Sequence, residues 1–319
     1  MRMQLLAFTT AASVVMIPLG AAAQSAVPKT SWGTPDLQGV WDFRSLTPMQ
    51  RPSTLAEQET FTAEEAAEFS QESIADRSRD SETSARAARV AQGDIIPYND
   101  FWFDEGTSVT TTRTSLIVDP PDGRMPPLTP GAQSLRAANR ALRQGVGADE
   151  PPLGGWVEDL ADRVRCTRGF NSGPPLTPSA YNNNMQLFQT PGYVVIMSEM
   201  IHDARIVSLD ERPHLPSEIS LWSGSARGRW DGDTLVVETR NLRADAYQGS
   251  TQDMRLIERF TRVDMDTLMY EATVEDPATW TSHWTYQVPM AKNDSLIYEF
   301  ACHEGNYGLY NILAAAGLR

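Results

Sequence analysis

Residues 254–274 read MRLIERFTRVDMDTLMYEATV, and this stretch decides the fold class of the chain. Every second residue from Met254 to Phe260 falls on one face, and that face is apolar apart from Glu258. Alternation with a period of two is typical of a β-strand with one buried face. The same pattern resumes after the short polar segment 264–266, so the stretch predicts a β-hairpin.

The pattern continues through the C-terminal half. From Met185 onward we predict about nine strands joined mostly by short turns, among them 193–201, 219–222, 280–289 and 296–301. A long antiparallel meander must protect its edges, and closure into a barrel is the usual solution. We therefore predict a mainly β protein, an antiparallel meander closed into a barrel.

An earlier strand, Leu37–Phe43, is placed to close the barrel against the C-terminal strands. Its Gly39-Val40-Trp41 segment resembles the opening of lipocalin-like barrels, in which the tryptophan plugs one end. This likeness is an analogy of fold and implies no activity. The chain shows no βαβ rhythm, P-loop or Gly-x-Gly-x-x-Gly fingerprint, which argues against a nucleotide-binding fold.

Segments 44–110 and 130–165 look like peripheral elaborations of one domain spanning 24–319. We predict a helix over Phe61–Phe69, with Thr60 or Thr62 as its N-cap, and a second helix over about 130–144. The aromatic loop 94–103 either packs into the core or lines the mouth of a ligand pocket.

The N-terminus predicts export. One positive charge precedes an apolar run from Leu5 to Leu19, and small residues follow up to Ala23. This is the pattern of a secretory signal peptide, residues 1–23, rather than of a membrane anchor. We expect a periplasmic or secreted protein with no membrane span after cleavage.

The charge of the chain excludes several partners. The 319 residues carry a formal net charge of −14. Removing residues 1–23, which hold one arginine and no acid, leaves 26 basic and 41 acidic residues, a net charge of −15. Nucleic acid and anionic membranes are poor partners for such a surface, so we expect a small-molecule ligand.

Cys166 and Cys302 are the two cysteines of the chain. In an oxidising compartment two cysteines usually pair, although a free thiol or a metal ligand are the alternatives. A disulfide here would bring the His303 segment to the Arg165 segment.

The candidate catalytic groups are His202, His303, Glu258 and Glu299. His202 is predicted to close an apolar strand face, and His303 follows a predicted strand at 296–301. If both rings converge with a carboxylate, acid–base catalysis is one interpretation. Glu258 on an apolar face is alternatively explained by a structural ion pair.

A metal site formed by two histidines and Glu258, Glu299 or Glu304 is the competing interpretation. The chain has no His-x-His or His-x-x-x-His spacing, so we assign no metal ligand and expect no cofactor. It also has no Gly-x-Ser-x-Gly elbow, which argues against serine hydrolase chemistry.

Five polar or aromatic residues are candidates for holding the ligand. Tryptophan stacks on flat ligands, and inward-facing arginines suit oxygen-rich ones. The candidates are Arg205, Trp222, Arg227, Asn306 and Tyr307.

Four segments together resemble an uncharacterised family of exported bacterial proteins. They are 35–41 (PDLQGVW), 115–124 (SLIVDPPDGR), 227–239 (RGRWDGDTLVVET) and 301–307 (ACHEGNY). The resemblance covers most of the mature chain and implies export, but no activity.

We expect an exported enzyme that binds a small, partly apolar or cyclic molecule in a barrel cavity and performs cofactor-free acid–base chemistry, as a lyase, isomerase or hydrolase. The alternative is a periplasmic small-ligand binding or carrier protein without catalysis. A third hypothesis is an envelope protein that binds a partner through loops 44–110.

Overall fold

The computed structural model describes residues 27–81, 83, 88–89, 99–146, 151 and 156–317. The predicted signal peptide and the first part of the aromatic loop, 94–98, lie outside the described residues.

Ten strands form one sheet, and nine of them close into a barrel. In chain order the strands are β1 (Gly39–Asp42), β2 (Ile117–Asp119), β3 (Asn184–Gln189), β4 (Tyr193–Ser198), β5 (Ala204–Ser208), β6 (Ser225–Asp231), β7 (Thr234–Arg240), β8 (Arg255–Arg262), β9 (Thr267–Glu275) and β10 (Trp284–Asn293). The barrel order is β1-β3-β4-β5-β6-β7-β8-β9-β10, and β10 pairs back with β1. Strand β2 lies outside on β10. The predicted barrel is confirmed.

The barrel departs from a pure meander at one place. Strands β5 and β6 are parallel, with Ser208 opposite Arg227. The connection 209–224 must therefore travel from one end of the barrel to the other. The predicted strand at 219–222 is wrong, because this part of the crossover makes only an isolated bridge at Leu221.

The last predicted strand, 296–301, is also wrong. Strand β10 ends at Asn293, and 296–301 has no paired strand among the described residues. Its alternation therefore does not correspond to membership of the sheet. The neighbouring strand starts later than predicted, at Trp284.

One end of the barrel is closed by a tryptophan. The Trp41 side chain is fully buried, and its Nε1 donates to the Leu37 carbonyl at 2.9 Å. The Arg262 guanidinium lies 5.3 Å from the centre of the Trp41 ring, and its Nη1 donates to the Asp36 carbonyl at 2.6 Å. Trp41 is thus buried within β1 and lies beside Arg262 at this end of the barrel.

The opposite end, called the open end below, carries the long connections 43–183, 199–203, 241–254 and 276–283. Helices α1 (Ala63–Arg77) and α2 (Pro130–Leu142) belong to the first of them. Thr62 caps α1 by accepting from the Glu65 amide, while the Glu65 side chain accepts from the Thr62 amide. This capping box confirms the predicted helix start.

Segment 171–176 enters the barrel from the open end, and every residue in it is buried. The Tyr270 hydroxyl accepts from the Leu176 amide at 3.0 Å, and the Tyr286 hydroxyl donates to the Leu176 carbonyl at 2.7 Å. Aromatic side chains such as Phe260 and Trp284 fill the remaining space. The buried side chains around this segment therefore form a packed core inside the barrel.

A disulfide joins Cys166 to Cys302, as predicted. Because β10 ends at the closed end, the tail 294–301 returns along the barrel to reach Cys166. Helix α3 (Tyr307–Ala315) follows. None of the helices in the described ranges is long and apolar enough to cross a membrane.

Candidate functional site

A cavity of about 800 Å³ lies at the open end. Its walls come from α2, from the segment around Cys166, from the end of the crossover and from the β7–β8 connection. The lining residues include Asp162, Arg165, Arg168, Gly173, Trp222, Arg243, Asp245, Ala246 and Tyr247. The volume is typical of pockets that hold small organic molecules. We call it the open-end cavity.

The floor of the open-end cavity is tied to the barrel core by hydrogen bonds. The Tyr247 hydroxyl lies 3.2 Å from Thr177 Oγ1, which lies 3.4 Å from the Tyr286 hydroxyl. The Tyr247 ring also stacks on Trp284, with centroids 5.9 Å apart. Burial raises the pKa of Tyr247. Its ring is therefore fixed in place beneath the cavity and stays neutral at physiological pH.

Deeper in the barrel lies an ion pair between Arg205 and Glu258. Arg205 Nη1 and Nη2 donate to the two Glu258 carboxylate oxygens at 2.6 and 2.9 Å. The Tyr270 hydroxyl donates to Glu258 Oε1 at 2.9 Å. Burial raises the pKa of Tyr270 well above its ordinary value, and the Glu258 charge adds to the effect. Bidentate pairing satisfies both charges, which is the structural alternative left open for Glu258.

Three arginines approach the open-end cavity in different ways. Arg165 Nη2 pairs with Asp162 Oδ1 at 2.8 Å. The Arg243 guanidinium lies 4.0 Å from the centre of the Trp222 ring, and Arg165 lies 5.7 Å from it. Trp222 thus holds two guanidinium groups by cation–π contacts.

Arg168 is held by main-chain carbonyls. Its Nη1 donates to the Ala246 carbonyl at 2.8 Å and its Nη2 to the Gly173 carbonyl at 3.3 Å. Burial lowers the pKa of Arg168, and the surrounding charges of Asp162, Asp203 and Asp245 oppose that shift. A guanidinium remains charged at neutral pH despite such a shift.

Asp245 is the titratable acid with the most altered environment in the cavity. Partial desolvation by the surrounding protein raises the pKa of its carboxyl group, and the nearby negative charge of Asp162 raises it further. The residue nevertheless remains solvent-accessible. Its backbone has a φ of 62°, in the left-handed region. Non-glycine residues adopt that region rarely, and aspartate is among the better tolerated.

The disulfide lies next to a segment that lines the open-end cavity, because Arg165 precedes Cys166 directly. Asn306 Nδ2 donates to the Val164 carbonyl at 3.0 Å, and its Oδ1 accepts from the Leu309 amide at 3.2 Å. Asn306 therefore caps α3 and fixes it beside the Cys166 segment. Its interactions in this structure are with the protein, rather than with an open cavity.

The predicted histidines lie apart from the cavity lining. Strand β4 ends at Ser198, and the chain turns through 200–202 with His202 at a φ of 49°. The His202 side chain is exposed. The prediction that His202 closes an apolar strand face is wrong, because the strand ends before it. His303 and Glu299 are also exposed. None of these three side chains is among the described residues that line the cavity.

The other predicted ligand residues divide between surface, core and cavity. Trp222 lines the open-end cavity, and Arg205 lies in the core beneath it. Arg227 faces outward, where its Nη2 donates to the Pro213 carbonyl at 2.9 Å and fixes the crossover. Tyr307 is 78% exposed. Their roles in binding remain predictions.

Sequence reasoning missed Arg168, Arg243 and Asp245. These residues lie in loops without periodicity, so no pattern assigns them a face. One signal was present, since Arg165 and Arg168 flank Cys166 closely. The predicted disulfide already placed that segment against the tail.

No group of three or more histidine, cysteine or acidic side chains that could hold a metal ion occurs among the described residues. Comparison of the chain with protein-family models, curated proteins and solved structures finds no match. The resemblance to exported bacterial proteins therefore stays a prediction.

Proposed function

We propose that the protein is an exported enzyme that binds a small molecule in the open-end cavity and performs acid–base chemistry with its own side chains. The observation that carries the proposal is the Asp245 carboxyl group. It is accessible, it lines a cavity of small-molecule size, and its pKa is raised by desolvation and by Asp162. A carboxyl group whose pKa is raised above its ordinary value holds its proton more readily, which suits it to proton transfer.

Lyases, isomerases and hydrolases share the proton-transfer step that Asp245 would supply. Arg168 and Trp222 would position the substrate, because both line the same cavity. The packed barrel supports the loop containing Asp245 through Tyr247, whose ring stacks on buried Trp284. A rigid floor of this kind favours a fixed substrate geometry.

Export is part of the proposal. The signal pattern of residues 1–23 and the disulfide between Cys166 and Cys302 both support a periplasmic or secreted location. Disulfides persist in such oxidising compartments.

The test compares the mature protein with the variant Asp245→Asn. Both are incubated with a small-molecule extract of the culture medium, and compounds consumed or formed are followed by mass spectrometry. We expect the Asp245→Asn variant to turn over substrate about 10²- to 10⁴-fold more slowly, the usual contribution of a general acid or base. If Asp245 acts as a base, the rate of the natural protein rises with pH through its raised pKa, and the variant loses that rise.

Asp253→Asn is the matched control, because this exposed aspartate lies in the same connection but does not line the cavity. It removes the same charge and should leave turnover unchanged. Equal turnover by the Asp245→Asn variant and the natural protein would contradict the assignment of Asp245.

A binding or carrier protein is the second candidate. The observation that favours it is that the described residues lining the cavity include no histidine, the commonest general acid or base. In that case a compound from the extract would bind to the cavity and be recovered unchanged.

A further inference from the structure

The open-end cavity has a small excess of positive charge, although the chain as a whole is negatively charged. The chain has a net charge of −14. The cavity is nevertheless lined by more arginines than acids, namely Arg143, Arg163, Arg165, Arg168 and Arg243 against Glu158, Asp159, Asp162 and Asp245. A local excess of cations in a concave site raises the local concentration of anions.

Two of these arginines have no carboxylate within ion-pairing distance in the described part of the chain. Arg168 donates to the carbonyls of Ala246 and Gly173, which are neutral acceptors. Arg243 contacts the face of Trp222. A guanidinium group that has no directly paired carboxylate can still form an ion pair with an anionic ligand.

The packing around these arginines also fixes their positions. Arg168 is clamped between the β7–β8 connection, at Ala246, and the segment that enters the barrel, at Gly173. Trp222 orients Arg243. Because the guanidinium groups are held before a ligand arrives, binding one costs less conformational entropy.

We propose that the open-end cavity binds an organic oxyanion, a molecule with a carboxylate or phosphate group, and that Arg168 and Arg243 receive this anionic group. The inference rests on the proposed use of the cavity as the ligand site and adds the class of ligand. Guanidinium groups donate to both carboxylate and phosphate oxygens, and each Arg168 Nη carries a second N–H besides the one donated to a carbonyl. A volume of about 800 Å³ leaves room for an organic body attached to the anion.

The test uses matched probes that differ in charge. Benzoate is compared with benzamide, galacturonate with galactose, and phenyl phosphate with phenol. Binding to the mature, oxidised protein is measured by ligand-observed NMR and by tryptophan fluorescence, up to about 10 mM, which saturates most of a site with a Kd of ~1 mM. We expect the anion of at least one pair to bind about tenfold or more tightly than its neutral partner. Comparing the two carboxylate pairs with the phosphate pair shows which oxyanion the cavity prefers.

Variants locate the effect. Arg168→Gln should abolish the preference for the anion, and Arg243→Gln should reduce it. Arg229→Gln is the matched control, since Arg229 is exposed on β6 and does not line the cavity. It removes one positive charge and should leave the preference intact. If Arg168→Gln fails to fold, Arg168→Lys, which keeps the charge but not the fork, and Arg243→Gln still test the proposal.

The possible negative results distinguish the oxyanion assignment from the proposed acid–base chemistry. Neutral probes that bind as tightly as anions, with Arg168→Gln binding like the natural protein, would overturn the oxyanion assignment and leave the cavity as a ligand site. Absence of binding by every anion up to about 10 mM would also overturn it. Anion binding that depends on Arg168, together with unchanged turnover in Asp245→Asn, would instead contradict only the proposed chemistry.

Discussion

Among single side chains, the Arg205–Glu258 pair shows how the barrel controls a buried charge. Both side chains are almost fully buried, and Tyr270 supplies a further hydrogen bond to Glu258. Removing one partner of such a pair leaves the other charge without compensation. The pair lies below the cavity floor, so its expected role is to hold the core together.

We predict that Glu258→Gln lowers the free energy of unfolding by about 3–5 kcal/mol, because it leaves the Arg205 charge buried and unpaired. The double variant Arg205→Met/Glu258→Leu should recover most of this loss. Urea unfolding followed by circular dichroism measures both. Glu271→Gln, on the outer face of the next strand, is the control and should change stability by less than about 1 kcal/mol. A small effect of Glu258→Gln would contradict a structural role for the pair.

The sequence predicted the inward position of Glu258 but not its partner. Alternation along residues 254–260 assigns a face, since side chains of a strand point to opposite sides in turn. Arg205 lies 53 positions earlier, on a strand that meets Glu258 only across the closed barrel. The loop residues Arg168 and Asp245 escaped prediction for the same reason, because only the fold brings them together.

Among the strands, the outer faces of β7 and β8 are joined by a cluster of charges. Glu238 pairs with Arg240 at 2.6 Å and with Arg255 at 2.8 Å, and Arg255 also pairs with Glu275 at 2.8 Å. The hydrogen bond from Arg255 is the main reason that the pKa of Glu238 falls to about 2. Cross-strand charge pairs of this kind add to the pairing of neighbouring strands.

We predict that this cluster makes stability depend on pH in acid. The folded-state pKa of Glu238 lies below its ordinary value of 4.5, so its contribution is fully present above that pH and is lost as the pH falls towards about 2. Thermal unfolding across this range should show a shallower loss for Glu238→Gln than for the natural protein. Glu57→Gln, an exposed acid for which the described residues provide no ion pair, should keep the original slope. Identical slopes for all three proteins would contradict the prediction.

Strand positions were predictable where a partner lay next in sequence, as in the hairpin of β8 and β9. They were wrong at 219–222 and 296–301, because alternation signals an extended chain without specifying what pairs with it. The path of the crossover, which contains 219–222, is set by the parallel pairing of β5 with β6. The path of the tail is set by its disulfide attachment at Cys302. Neither constraint is local.

In the molecule as a whole, one end of the barrel is plugged and the other carries the cavity, the disulfide and the long connections. Trp41 and Arg262 lie in contact at the first of these ends. Variation in the loops can therefore change the site while the packed barrel stays intact, as in other folds whose function lies in loops.

We predict that expression of the whole chain in a bacterium yields a periplasmic or secreted protein that begins at Gln24 and contains no free thiol. Intact-mass measurement before and after alkylation checks the cleavage and the disulfide together. A chain that starts with Met directly before Gln24 is the control and should stay in the cytoplasm in the reduced form. A membrane-bound product that keeps residues 1–23 would contradict the signal peptide.

The seam of the barrel has a consequence for biosynthesis. Val40 at the start of the chain pairs with Asn293 near its end. Strand β1 also pairs with β3, which follows only after the long insertion 43–183. Bringing such distant strands together costs conformational entropy before their pairing can stabilise the barrel. The growing polypeptide therefore cannot complete its barrel until the final strand has been translated.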